Sequence, residues 1–191
     1  MAANLVTLAE YKAYAGILSD NQDAVINAII PKVSALVKNY CRKTFVDYVN
    51  DQKVEYFEGG EGPCFFLKEY PVLSVISVEI SYDYGQNYEE LTEYTDWVYV
   101  PGLEAIKYPP GDTFPYYING YKVTYTAGYE TLPEDLKLAI LDLVTYYIKN
   151  DMAVHSPKAP GTNSVQIEYI TSTNLPAHIK RVLDLYMGSF D

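Results

Sequence analysis

The chain has 191 residues, 25 acidic against 14 basic, a formal net charge of −11, and 21 tyrosines. Aliphatic and aromatic content is too high for a disordered chain, no apolar run approaches a bilayer-spanning length, and Met1-Ala2-Ala3-Asn4 opens no signal peptide. The acidity excludes a broad phosphate-gripping surface, and two cysteines, Cys41 and Cys64, make no disulfide framework and point to a reducing compartment.

The charge is unevenly placed. Residues 1–50 sum to +1, residues 51–132 to −10 and residues 133–191 to −2. The texture changes with it, from helical periodicity to Tyr/Val/Ile-rich runs broken by Gly and Pro. The reading is an α+β protein: a helical body of about four helices, interrupted by an acidic β-rich insertion that forms a small barrel or sandwich.

A first helix starts at Thr7-Leu8-Ala9-Glu10, a capping box with Val6 and Tyr11 placed as a hydrophobic staple, and Gly16 ends it. Ser19 or Asp20 is expected to start a longer helix. Its apolar positions Ile26, Ile29, Ile30, Val33, Val37 and Tyr40 fall three and four apart on one stripe. Pro31 inside it predicts a kink or break.

From Gln52 the period becomes two. Strands are expected over 53–58, 64–67, 72–80, 97–100, 105–108 and 121–125, with turns at Gly59–Pro63, Asp83–Asn87, Pro109–Gly111 and Asn119-Gly120. Thr131-Leu132-Pro133-Glu134 then starts a helix to Asn150. Leu136, Ile140, Leu143, Val144 and Tyr147 lie on one of its faces and Leu138, Leu141 and Ile148 on a second. That second face packs against a neighbouring copy or under the β-domain; the pattern does not choose. A proline-rich link, Ser156–Gly161, precedes the alternating stretch Val165-Gln166-Ile167-Glu168-Tyr169. Asn174-Leu175-Pro176 opens a last amphipathic helix through Ile179, Val182, Leu183 and Tyr186.

The search for chemistry yields no active site. His155 and His178 have no neighbours in a metal-binding or triad spacing. Cys41 beside Arg42 and Lys43 has the charge setting of a lowered thiol pKa but no nucleophile signature, so it reads as structural. Gly59-Gly60-Glu61-Gly62 lacks the helix and Lys-Ser/Thr of a phosphate loop. Asp83, Glu89, Glu90, Glu93 and Asp96 are numerous enough for calcium but follow no ordered loop motif, and a solvated acidic face explains them as well. The tyrosines suit both β-structure and protein interfaces. No catalytic residue, metal or cofactor is expected.

The order of segments resembles a known family. Leu5–Tyr14 is similar to the opening helix of the head–tail connector (adaptor) proteins of tailed bacteriophages, and Tyr40-Cys41-Arg42-Lys43-Thr44-Phe45 to the end of their second helix. Tyr70–Val78 resembles the strand that begins the insertion in longer members. The most specific match is Val123-Thr124-Tyr125-Thr126-Ala127-Gly128-Tyr129 followed by Leu132-Pro133-Glu134-Asp135-Leu136-Lys137. The resemblance covers roughly residues 5–150; the last forty match loosely.

The resemblance implies a structural, non-enzymatic protein of the virion neck, assembled in the host cytoplasm. It would form a twelve-fold ring under the portal, extend the channel for double-stranded DNA and meet the next neck or tail protein. In this reading residues 1–50 and 131–151 form the helical body and 51–130 the insertion, while 152–191 form a portal-docking arm using Val165, Ile167, Tyr169, Ile179, Val182 and Tyr186. The loose match leaves open a helix packed back on the body instead. Asp83, Glu89, Glu90 and Glu93 are expected to face the channel, where like charge lets DNA pass without sticking. The alternatives are a tail-completion or stopper protein, or a carbohydrate-binding tail module using the tyrosines and Trp97. No membrane partner is expected.

Overall fold

The computed structural model describes residues 3–60, 62–109, 112–154 and 175–188, with only the backbone of 150–154. It divides into a helical unit, Asn4–Arg42 with Leu132–Asp191, and a β unit, Met1–Ala3 with Lys43–Thr131.

The helical unit contains α1 (Leu8–Ala15), α2 (Asp23–Cys41), α3 (Glu134–Val154) and α4 (Ala177–Asp184). The capping box forms as its sequence requires: Thr7 Oγ1 accepts from the Glu10 amide at 3.2 Å, and Glu10 Oε2 accepts from the Thr7 amide at 2.8 Å. Gly16 closes α1 in the left-handed region. The expected start of α2 at Ser19 or Asp20 is corrected to Asp23. Asp20, which could have capped the helix, instead holds Lys12 Nζ at 2.6 Å, and Gln22 caps without a side-chain bond.

Pro31 does not break α2, which runs through it without interruption. Pro31 and Asn27, whose carbonyl loses its helical donor to the proline, both lie on the exposed face, so the lost bond disturbs none of the buried stripe. The opposite face buries Ile26, Ile30, Val33, Val37 and Cys41. Helix α3 continues to Val154, past the expected Asn150, and buries Leu136, Ile140, Leu143 and Val144 together with Leu141 of the second face. Leu138 of that second face stays half exposed.

Helix α4 packs on α2 and α3 through buried Ile179 and Leu183. Residues 175–188 therefore pack with the body, the alternative that the loose match left open for this stretch. The apolar stripe that suggested a docking face is the stripe the body needs.

The β unit has two antiparallel sheets. One has the order β1 (Lys53–Phe57), β7 (Tyr121–Ala127), β3 (Val72–Ile80), β4 (Glu89–Glu90); the other has β2 (Cys64–Phe66), β6 (Ala105–Lys107), β5 (Val98–Val100). Both sheets supply one core, with Val78, Val123 and Tyr125 from the first, Phe65 and Ile106 from the second, and Phe114 and Trp97 from outside the strands. The arrangement is sandwich-like. It is not the alternative closed barrel, because β1, β4, β2 and β5 each pair on one side only. Central β7 is the most buried strand, paired with β1 over Tyr121–Tyr125 and with β3 from end to end, where the β3 register shifts between Val72 and Ser74 and between Val75 and Ser77.

Glycine is required where β7 ends. Gly128 has φ +118, and a Cβ there would meet the Phe45 carbonyl oxygen at 2.4 Å. The Ala-Gly turn noted in the sequence thus marks a close passage of the two chain ends of this unit. Strand β4 was missed in the sequence because two glutamates have low strand preference; its pairing is imposed by Glu79 and Ile80 of β3.

Candidate functional site

The expected acidic residues cluster only in part. Glu89 and Glu90 are exposed on β4, at the edge of the larger sheet. Glu90 and Glu93 line an open groove of about 370 Å³ with Val75, Ile76, Leu91, Thr92 and Trp97. Asp83 plays a different part. Its carboxylate accepts from the Gln86 amide at 3.0 Å, the Asn87 amide at 2.8 Å and the Asn87 side chain at 2.6 Å, and from the Ser81 hydroxyl at 2.7 Å. Bonds from Asn87, backbone and side chain, are the main reason its pKa falls to about 2. Asp83 therefore stays a carboxylate and builds its own turn.

Among the described residues no three His, Cys, Asp or Glu side chains converge to hold a metal. Trp97 is buried, and its Nε1 donates to the Leu91 carbonyl at 3.1 Å. It fills the core and offers no exposed ring for a sugar.

Of the residues assigned to docking, Val165, Ile167 and Tyr169 lie outside the described residues, as does His155. Ile179 is buried in the helical unit and Val182 is half-buried. Tyr186 is half-buried too, its hydroxyl donating to Asp135 Oδ1 at 2.6 Å. That bond also lowers the pKa of Asp135. Tyr40 donates to Asp184, which pushes the phenol up to about 12. His178 is exposed on α4. Cys41 is buried, with Sγ donating to the Leu183 carbonyl at 3.6 Å, the structural role expected.

Two features of the β unit were not anticipated. The first is a buried polar knot. Tyr125 donates to Glu55 Oε1 at 2.8 Å and accepts from the Glu69 amide at 3.1 Å, while the Glu69 carboxylate accepts from the Thr44 amide at 3.1 Å. Burial raises the Glu69 pKa, and the bond from the Thr44 amide only partly opposes this. The knot ties the start of the unit to its central strand. The second is an exposed group of tyrosines where three turns meet. Its one signal in the sequence is the placing of Tyr82, Tyr84, Tyr116 and Tyr117 in turn segments, where strand preference does not call for them.

No described feature does covalent chemistry; the exposed chemistry is an acidic edge and an aromatic end, both suited to contact. No helix among the described residues is long and apolar enough to cross a membrane. The whole-chain comparisons agree with a contact-making protein. The fold matches a chain in the neck of an empty GTA particle, computed with C6 symmetry, at a TM-score of 0.63 and 15% identity over 98% of this chain and 91% of that one. It also matches one in the neck of a native GTA particle, computed with C12 symmetry, at a TM-score of 0.60 and 16% identity over 100% and 97%. In sequence, the chain is 25% identical over 184 residues to the head completion protein of Escherichia phage T5, covering 95% of this chain and 97% of that protein. A family model, head completion protein, matches residues 4–188. The chain belongs to the head completion protein family, and so to the structural, non-enzymatic proteins of the head–tail junction.

Proposed function

We propose that the protein is a ring-forming component of the phage neck that joins the portal to the next neck or tail protein and continues the channel for double-stranded DNA. The observation that carries this reading is the family match across residues 4–188, which takes in both units of the chain. The kinship in fold with chains of necks computed with C6 and C12 symmetry supports a closed ring of six or twelve copies, built from head-to-tail contacts that close by rotation.

DNA is a passenger in this reading and is not gripped. Glu89, Glu90 and Glu93 form an acidic edge that repels phosphate if it faces the channel. Asp83 adds charge nearby while its lone pairs serve the turn. Portal docking falls to residues 155–174, since α4 is committed to the helical unit. Assembly takes place in the host cytoplasm and the finished protein resides in the virion.

Ring formation is tested by measuring the mass of the full chain, alone and with portal, and imaging it in negative stain. Rings of six or twelve are expected, and a strictly monomeric chain in both samples would sink the proposal. Deleting residues 155–174 is expected to abolish portal attachment while leaving helical content unchanged; normal attachment would refute the docking assignment. Neutralising Glu89, Glu90 and Glu93 to Gln is expected to slow DNA ejection from assembled particles, and an unchanged rate would mean that this edge faces away from the channel.

A further inference from the structure

Three turns meet at one end of the β unit. The Tyr117 amide donates to the Glu58 carbonyl at 2.9 Å, the Gly60 amide to the Phe114 carbonyl at 2.8 Å, and the Ser81 amide to the Gly120 carbonyl at 2.7 Å. The Tyr88 hydroxyl donates to the Asn119 carbonyl at 2.9 Å, which seats segment 81–88 against segment 115–120. Six tyrosines gather there: Tyr56, Tyr82, Tyr84, Tyr88, Tyr116 and Tyr117. Tyr82 meets Tyr117 edge-on at 5.2 Å, and Tyr56 lies 6.2 Å from Tyr88.

Four of these rings are largely in water, while Tyr88 and Tyr117 are half-buried. Tyr56 is 58% exposed, Tyr82 60%, Tyr84 71% and Tyr116 60%, while neighbouring Ile118 is half exposed. Scattered single aromatics on a surface need no explanation, but a contiguous group of this size does. Tyr84 adds a second observation. Its φ is +66 and Gly85 follows at +86, so the turn uses two consecutive left-handed positions. Asn-Gly fills such positions at lower backbone cost than a bulky aromatic. A tyrosine held there serves its ring and not the turn.

The charge around the rings selects the partner. Glu58 Oε2 lies 3.5 Å from the Tyr116 hydroxyl, and Asp83, whose carboxylate accepts from the Asn87 amide, adds a second negative charge on the 81–88 turn. Lys122, the cation 5.4 Å from the Tyr88 ring, is neutralised by Glu79 at 2.8 Å. This field repels nucleic-acid phosphate. It also disfavours two such ends pairing with each other, since like charges would face across the contact. It suits guanidinium and ammonium groups, which stack on tyrosine faces and pair with the carboxylates at the rim.

We propose that this tyrosine end of the β unit is a docking face for a different protein, engaged through a surface of exposed arginine and lysine side chains. It would be the face that the ring presents to the next component of the neck, and so rests on the neck reading above.

The test places the photo-crosslinking residue p-benzoylphenylalanine at Tyr84, at Tyr116 or, as a control, at Leu18 of the full chain within assembled virions. Positions 84 and 116 are expected to crosslink to a different polypeptide, at peptides containing Arg or Lys, and Leu18 to give no such product. In parallel, Tyr84→Ser with Tyr116→Ser is expected to leave the chain in the head but cut tail joining at least tenfold. Tyr84→Phe with Tyr116→Phe is expected to restore it. Crosslinks only to other copies of this chain, crosslinks to DNA, no crosslink, or unchanged tail joining would each overturn the docking proposal while leaving the neck reading intact. Absence of the wild-type chain from virions would overturn both.

Discussion

Tyr125 is the residue on which most of the β unit's buried polar chemistry depends, because its one hydroxyl serves both Glu55 and the Glu69 amide. Removing it leaves two buried groups short of a partner, and each loss costs the desolvation of that group without replacement. Tyr125→Phe is expected to destabilise the protein by about 1–3 kcal/mol, read as a lower urea midpoint with an unchanged slope. Titration at two carboxyls has opposite signs. The pKa of Glu69 is raised above its ordinary 4.5, so the folded state keeps a proton that the unfolded state has lost; its contribution is fully present below pH 4.5 and declines as pH rises through the raised value. Glu69→Gln is therefore expected to gain on the wild type as pH rises from 4 to 7 in parallel denaturation series. The pKa of Asp83 is lowered to about 2 from 3.8, so its contribution is present above 3.8 and lost as pH falls through 2. The Asn87 amide resonance is expected to titrate near pH 2; a midpoint near 3.8 would mean that the turn bonds are absent in solution.

At the scale of elements, helices α1 and α2 show what periodicity can and cannot reveal. The Thr7/Glu10 box and the Ile26–Val37 stripe were legible, because a helix start and a buried face are written in residues within a few positions of each other. The start of α2 was not. Whether Asp20 caps a helix or holds Lys12 depends on where α1 ends relative to it, which is a matter of packing. Pro31 teaches the same lesson, since its effect depends on whether the orphaned carbonyl faces water. Pro31→Ala is expected to raise stability, by up to about 3 kcal/mol, because it restores an amide donor to Asn27 without disturbing the buried stripe. A thermal midpoint that falls in this variant would show that the proline shapes the helix in a way the packing needs. Strand β4 and the core position of Phe114 were likewise illegible. Each lies in a stretch whose own sequence has weak strand character, and each is set by residues elsewhere in the β unit.

For the whole molecule, the imbalance of charge is the dominant physical fact. Residues 51–132 carry −10 of the −11, and like charges on one small unit oppose its own compact state. The β unit's two chain ends meet: the Tyr129 amide donates to the Phe45 carbonyl at 2.7 Å, and the two rings stack at 6.5 Å. A segment with adjacent ends and its own core satisfies the usual conditions for folding alone. A fragment of residues 43–131 is expected to fold cooperatively, with a melting temperature that climbs as sodium chloride is raised from 20 to 300 mM and its self-repulsion is screened. A fragment without cooperative melting at any salt would mean that the unit depends on the rest of the chain.

The sequence alone was enough to establish the α+β class and the resemblance to head–tail connectors that the family match now meets. These are properties of local pattern: period, caps, turns and residues that are close along the chain. Only the tertiary structure decided that Ile179 and Leu183 of α4 are spent on the body, that Trp97 is core, and that Asp83 builds a turn while Glu90 and Glu93 share a groove. It alone brought Tyr56 of strand β1, Tyr82, Tyr84 and Tyr88 of one turn, and Tyr116 and Tyr117 of another, to one end of the β unit. The reason is physical. Burial and proximity between distant segments depend on which faces meet once the sheets and helices have packed, and no single stretch of sequence contains both halves of such a contact.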